Sequence, residues 1–215
     1  MKIAKVGVSS SDGLPLYWEE AKSELMQRDR ILRKLIPGCD SFPVAVTDDP
    51  FVTLSRSLIG QQISIASAER VWSNFSIACP GWAPSEVLAV GQAVLISCGM
   101  SKRKSEYILD LATHFHNQKL HVQTWSEMSD EDVISELMQI RGIGRWTAEM
   151  FLIFNLHRPN VLPLDDPGLL KGISINYFSG EPVSRSDMRE VAANWEPWRT
   201  VATWYLWRSL DAVVS

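Results

Sequence analysis

Ile140 to Glu149, IRGIGRWTAE, sets two glycines around one isoleucine and then restarts a helix-forming run on Arg145 and Trp146. Glycine inside a helix costs about 1 kcal/mol relative to alanine, so two within three residues punctuate the chain. The stretch predicts helix, tight turn, helix. Upstream, SDEDVISELMQI (Ser129–Ile140) opens on a serine cap, carries acids in its first turn, and spaces Val133 with Leu137 and Ile134 with Met138 one turn apart. Downstream, WTAEMFLIFNL (Trp146–Leu156) is apolar on most faces, the pattern of a buried helix. At the start of that second helix the first amides have no intrahelical acceptor; with the helix dipole they form an anion site suited to phosphate. Gly142 and Gly144 would let the backbone approach such a phosphate, and Arg145 could add a charge-assisted contact. The same Gly-x-Gly also serves between helices as plain turn punctuation.

Outward from the turn the helical pattern continues. LYWEEAKSELMQRDRILRKLI (Leu16–Ile36) repeats apolar residues at helical spacing and stops at Pro37-Gly38. In Asp48–Phe75 an Asp49 cap precedes Pro50, and two short helices are expected over Ala83–Val90 and Gly91–Gly99. Ser101 caps a helix with Tyr107, Ile108, Leu111, Ala112 and Phe115 on one face. NVLPLDDPGLLKG (Asn160–Gly172) reads as an extended approach to a helix whose cap is Asp166, and Pro197–Val214 is a helix apolar nearly all round. No alternating strand pattern, fixed-period repeat or low-complexity linker interrupts this. The fold class expected is all-α, in two helical lobes.

Composition narrows the classes. The chain has 215 residues, 46% hydrophobic and 21% charged, ordinary globular values. No apolar run approaches the roughly 18 residues of a membrane span, and residues 1–15 lack the apolar stretch of a secretory signal. Cys39, Cys79 and Cys98 are far apart and form no CxxC, so neither a disulfide framework nor a four-cysteine metal site is expected, and a cytoplasmic setting is the simplest home. The net charge of −4 argues against a broadly electrostatic nucleic-acid binder but leaves room for a local basic face. His114 and His116, two apart, fall on different helix faces and do not form a metal pair.

Five stretches taken in order carry a family resemblance. IRGIGRWTAEMFLIF followed by VLPLDDPGLLKGI resembles the helix-hairpin-helix and Gly/Pro-rich loop with aspartate of the base-excision DNA glycosylase superfamily. LIGQQISIASAERVW is similar to its DNA-wedging segment, and ISCGMSKRKSEYILDLA to its following loop and helix. ANWEPWRTVATWYLW resembles the carboxy-terminal helix of the DNA-3-methyladenine glycosylase II group. The resemblance spans roughly Phe51 to Leu210.

What it implies is a monofunctional enzyme that flips alkylated purines (3-methyladenine, with 7-methylguanine a further candidate) out of double-stranded DNA and hydrolyses the N-glycosidic bond, leaving an abasic site. Asp166 matches the catalytic aspartate, a role compatible with its being a helix cap. The place of the strand-cutting relatives' lysine holds Trp146, which has no nucleophile; Lys171 lies five residues past Asp166. Trp146 and Trp207 match aromatic base-pocket positions suited to a cationic base, with Met150 at a tyrosine position and Gln61 beside them, though either tryptophan would also suit a core. Gln62 matches the wedge. Gly142, Ile143, Gly144, Arg145, Thr147 and Lys104 match DNA-binding positions, and Lys102 and Arg103 would equally suit a solvated helix start. No cofactor is required; carbonyls of Met138, Ile140 and Ile143 match a structural monovalent-cation site. The lobes implied are residues 45–160 and residues 16–44 plus 161–215, after an extension at 1–15, with a DNA-binding cleft between them. A monomer is expected, and the competing expectation is a non-catalytic helix-hairpin-helix DNA-binding module.

Overall fold

The computed structural model describes residues 14–39 and 49–211. The extension at residues 1–15 therefore falls, as far as residue 13, outside the described residues. Among the described residues are eleven α-helices and no β-strand. They are α1 (Trp18–Arg28), α2 (Leu32–Leu35), α3 (Pro50–Gly60), α4 (Ile65–Ala78), α5 (Pro84–Ser97), α6 (Lys102–His116), α7 (Asp130–Leu137), α8 (Arg145–Phe154), α9 (Pro167–Tyr177), α10 (Arg185–Ala193) and α11 (Arg199–Asp211). The caps read from sequence are in place: Asp49, Ser101, Ser129 and Asp166 each accept the amide three residues on. Each such cap stabilises its helix by about 1 kcal/mol.

Three elements depart from the expected pattern, for local reasons. The run Leu16–Ile36 breaks at Asp29, whose carboxylate accepts the Ile31 and Leu32 amides at 2.7 and 3.1 Å and so starts α2 afresh. Its other oxygen takes the Tyr177 hydroxyl at 2.7 Å and the Trp195 indole N–H at 3.1 Å, so a buried carboxylate is fully used. Asp48–Phe75 divides between α3 and α4, where Gln62 adopts φ 56° and Ser64 caps α4. Helix α10 was not anticipated, although Ser184 and Asp187 form a capping box in front of it. The two short helices expected around Gly91, by contrast, are both present within α5 and meet at a kink where Gly91 has φ 70°.

The chain divides into two compact units, Met1–Val46 with Leu152–Ser215, and Thr47–Phe151. The division falls inside α8 rather than after it, and the aromatic contacts show why. Phe151 meets Trp125 edge-on at 5.4 Å in the Thr47–Phe151 unit, whereas Phe154 stacks on Trp207 at 6.0 Å in the other. The Thr47–Phe151 unit is built on buried Leu54, Leu58, Phe75, Ile108, Leu111 and Leu137. The other unit packs α1, α9, α10 and α11 around Trp18, Leu25, Ile173, Met188, Trp195 and Tyr205. Gly172 of α9 lets α11 approach closely: a Cβ there would stand 3.0 Å from the Leu206 carbonyl oxygen. Among the described residues no helix is long and apolar enough to cross a membrane.

Candidate functional site

The hairpin between α7 and α8 is a tight turn closed by the Ile143 amide on the Ile140 carbonyl at 3.1 Å. Its third residue, Gly142, has φ 89°, which an L side chain adopts only at a cost. A Cβ at Gly142 would lie 2.3 Å from Cδ2 of Tyr107, so the turn rests directly on the ring of an α6 residue. Gly144 differs. Its φ is not positive and a Cβ there would meet nothing within 4 Å, so the protein itself gives no reason for glycine. The Ala148 amide closes on the Gly144 carbonyl at 3.0 Å. The residues between them form the mouth of α8, where no carbonyl of the same helix lies four residues back. Ile140 and Ile143 are buried and lock the turn from beneath.

Neighbouring helices fix this turn through groups that lie far away in sequence. Asp110 accepts the Arg141 amide at 2.8 Å, and Glu106 accepts the Arg141 guanidinium at 3.1 Å. Gln61, at the end of α3, donates its side-chain N–H to the Gly142 carbonyl at 3.0 Å. The side chain expected to line a base pocket therefore also braces the hairpin. Lys104, half-buried, donates from Nζ to the Ile59 carbonyl at 2.6 Å, and burial lowers its pKa below the ordinary lysine range. That bond ties α6 to the end of α3. Thr147 is buried at 6% exposure. Arg145 holds Glu131 through contacts of 2.6 to 3.0 Å and approaches Glu149 at 3.5 Å. Tyr107 and Asp110, which sequence placed only on helix α6, carry the hairpin; their spacing from it, about thirty residues, leaves no local signal.

The loop between α3 and α4 presents Gln62 and Ile63 to solvent, and Ile65 at the start of α4 is 84% exposed. Gln62 is in the left-handed region, a conformation that costs a non-glycine residue about 1–2 kcal/mol. Beside it a cavity of about 270 Å³ is lined by Ile59, Gln61, Gln62, Val71, Met100 and Lys104, among others.

In the other unit, Asp166 is buried to 6% exposure and caps α9. One oxygen, Oδ1, accepts both the Leu169 amide at 2.6 Å and the Trp207 indole N–H at 2.7 Å. Trp207 thus turns its nitrogen edge to the carboxylate while one ring face stacks on Phe154 at an interplanar angle of 17°. Gly168 makes room for this approach, since a Cβ there would stand 3.0 Å from Trp207 Cδ1 and 3.1 Å from Asp166 Oδ1. Asp165 is exposed and ion-paired with Arg185, so the two adjacent aspartates have different surroundings. Trp146, at the start of α8, is 42% exposed, unlike the core positions that follow it; Met150 is half-buried. Lys171 is exposed on α9.

The profile of the HhH-GPD superfamily of base excision DNA repair proteins matches residues 55–199. A DNA-3-methyladenine glycosylase of Bacillus subtilis is 33% identical over 199 residues, covering 87% of this chain and 66% of that protein. A Bacillus halodurans DNA-3-methyladenine glycosidase structure superposes with TM-score 0.83 at 31% identity, over 91% of this chain and 90% of that one. The Schizosaccharomyces pombe 3-methyladenine DNA glycosylase in complex with abasic DNA gives TM-score 0.77 at 26% identity, over 89% and 97%. The chain spans 62% and 66% of the length of the two Bacillus subtilis relatives it matches.

Proposed function

The chain belongs to the HhH-GPD superfamily of base excision DNA repair proteins, and we propose that within it the protein is a monofunctional DNA glycosylase that removes alkylated purines. The observation that carries this reading is the buried Asp166 carboxylate, held by the Leu169 amide and the Trp207 N–H where the family resemblance requires its catalytic aspartate. The similarity to two 3-methyladenine glycosylases of known structure supports the lesion class.

The chemistry follows from charge. A purine alkylated at N3 or N7 is cationic, so when the bond from C1′ to the base breaks, the electron pair neutralises the leaving base and no general acid is needed. Positive charge passes to the sugar as an oxocarbenium ion. An ionised Asp166 stabilises that charge, and water then adds to C1′ with loss of a proton. With Trp146 in the place of the strand-cutting lysine, no amine is offered there to the sugar, and the product is an intact strand with an abasic site. Trp146 presents an aromatic surface that a cationic base favours by about 0.5–2 kcal/mol.

The hairpin is the proposed phosphate anchor, with Gly144 left small for the backbone to approach. Arg145 joins it by exchange: its pair with Glu131 is solvent-exposed and worth about 0–1 kcal/mol, so a phosphate can replace the carboxylate cheaply. The Met138, Ile140 and Ile143 carbonyls are hard oxygen donors suited to a sodium or potassium ion. The Ile140 oxygen accepts one amide and retains a second lone pair for it. No step of the reaction uses that ion. The protein acts as a monomer on double-stranded DNA.

Base release from methylated duplex DNA, read before and after alkali, tests the reading. Free methylated purine with strand breaks only after alkali is the expected result. Breaks without alkali, or a covalent adduct trapped by borohydride, would assign a lyase and overturn the monofunctional part. No release of any methylated base would overturn the whole.

Gln62 is the proposed wedge that fills the gap left by the flipped base, and its backbone separates that role from stability. Glycine removes the left-handed penalty but loses more entropy on folding, so Gln62→Gly should leave stability within about 1 kcal/mol. Base release should fall about tenfold, because unstacking a base costs a few kcal/mol that the wedge no longer offsets. Single-turnover release together with urea unfolding checks both; unchanged release would remove Gln62 from the role.

A further inference from the structure

Trp207 invites a simple reading as an aromatic wall, but its geometry favours a second task. The indole N–H meets Asp166 Oδ1 at 2.7 Å, the same oxygen that caps α9 through the Leu169 amide at 2.6 Å. Two converging donors fix the rotamer of a carboxylate far more tightly than one, because rotation about its side-chain bonds breaks both at once. The ring that supplies the second donor cannot drift, since Phe154 stacks on one face and Trp204 meets it edge-on at 6.4 Å. Gly168 completes the arrangement. Any side chain there would press on both partners of the hydrogen bond, at 3.1 Å from Trp207 Nε1 and 3.1 Å from Asp166 Oδ1.

We propose that Trp207, admitted by Gly168, is a positioning residue that aims the Asp166 carboxylate through its indole N–H, independently of any stacking on a base. The inference rests on the glycosylase reading of Asp166 and deepens it. A carboxylate that only caps α9 is served by the Leu169 amide alone. One that must meet a short-lived cation at a sugar has to be held in advance, because a displacement of about 1 Å costs on the order of 100-fold in rate.

Trp207→Phe keeps an aromatic ring against Phe154 and removes the N–H. Gly168→Ala keeps the whole indole and displaces it. Both variants, the wild type and Asp166→Asn are compared by single-turnover base release at saturating enzyme, by affinity for duplex DNA carrying a tetrahydrofuran abasic analogue, and by thermal melting. The expected result is a drop of about 10- to 100-fold in the release rate in both variants with abasic-DNA affinity within threefold of wild type. Melting is measured so that only folded variants are scored, and Gly168→Ala serves if Trp207→Phe fails to fold. Release within twofold of wild type in a folded Trp207→Phe, with Asp166→Asn inactive, overturns the inference while leaving the glycosylase reading in place. A rate loss matched by an equal loss of abasic-DNA affinity also overturns it, since that is a binding role. Unchanged release in Asp166→Asn removes the reading beneath it.

Discussion

Asp166→Asn should lower the rate of base release by about 1000-fold or more while the protein folds and binds DNA as before. The magnitude is what loss of a preorganised charge at a reacting centre typically costs. The stability side is unusually clean here. Asparagine caps a helix about as well as aspartate, and its carbonyl oxygen can still accept the Leu169 amide and the Trp207 N–H that Oδ1 accepts in the native protein. What the carboxamide lacks is the negative charge. Binding to abasic-analogue DNA and the melting temperature should therefore stay close to wild type, with only turnover lost. Asp165 cannot take over, because it is exposed and paired with Arg185. Full retention of base release in Asp166→Asn would reduce Asp166 to a helix cap and favour another acid; absence of base release in the wild type, with DNA binding intact, would favour the non-catalytic binding module.

Substitution in the hairpin should separate two glycines that look equivalent in sequence. Gly142→Ala forces an L side chain to φ 89° and drives a methyl group into the Tyr107 ring, 2.3 Å from Cδ2. The first effect costs about 1–2 kcal/mol and the second about 1–3 kcal/mol, so a loss of about 3 kcal/mol is expected. Combining it with Tyr107→Ala should recover the steric part and leave the backbone part, which a double-mutant cycle in urea measures. Gly144→Ala adds its methyl group to open space, so stability should hold within about 1 kcal/mol, allowing for glycine's backbone entropy. Its effect should appear on DNA instead, as a loss of about tenfold in affinity that reflects one obstructed charge-assisted contact. Normal DNA affinity in Gly144→Ala would place the phosphate elsewhere.

Arg145 and Lys104 show how far residue matching reaches. Both are basic and both stand where DNA-binding residues are expected, yet Lys104 braces the Ile59 carbonyl and Arg145 holds Glu131. An exposed pair can be exchanged for a phosphate at little cost. A lysine donating inward to a backbone carbonyl would have to leave a polar atom behind unsatisfied. The two positions thus have different partners in the folded protein, although no feature of KRKSE or GRWTA distinguishes them.

Sequence alone determined what depends on neighbours three and four residues apart. The helical spacing of apolar residues, the caps at Asp49, Ser101, Ser129 and Asp166 and the hairpin at Gly142–Gly144 were all legible, because helix formation and capping are local. It also showed Asp166 at a helix start, which is half of its setting. Tertiary structure alone decided the other half. That Trp207 offers its N–H edge to a carboxylate 41 residues earlier, that Gln61 reaches the Gly142 carbonyl 81 residues on, and that Asp29 takes Tyr177 and Trp195 on its second oxygen follow from packing between distant segments. A side chain's hydrogen-bond partner is whichever group the fold brings within about 3 Å, and periodicity carries no record of that distance.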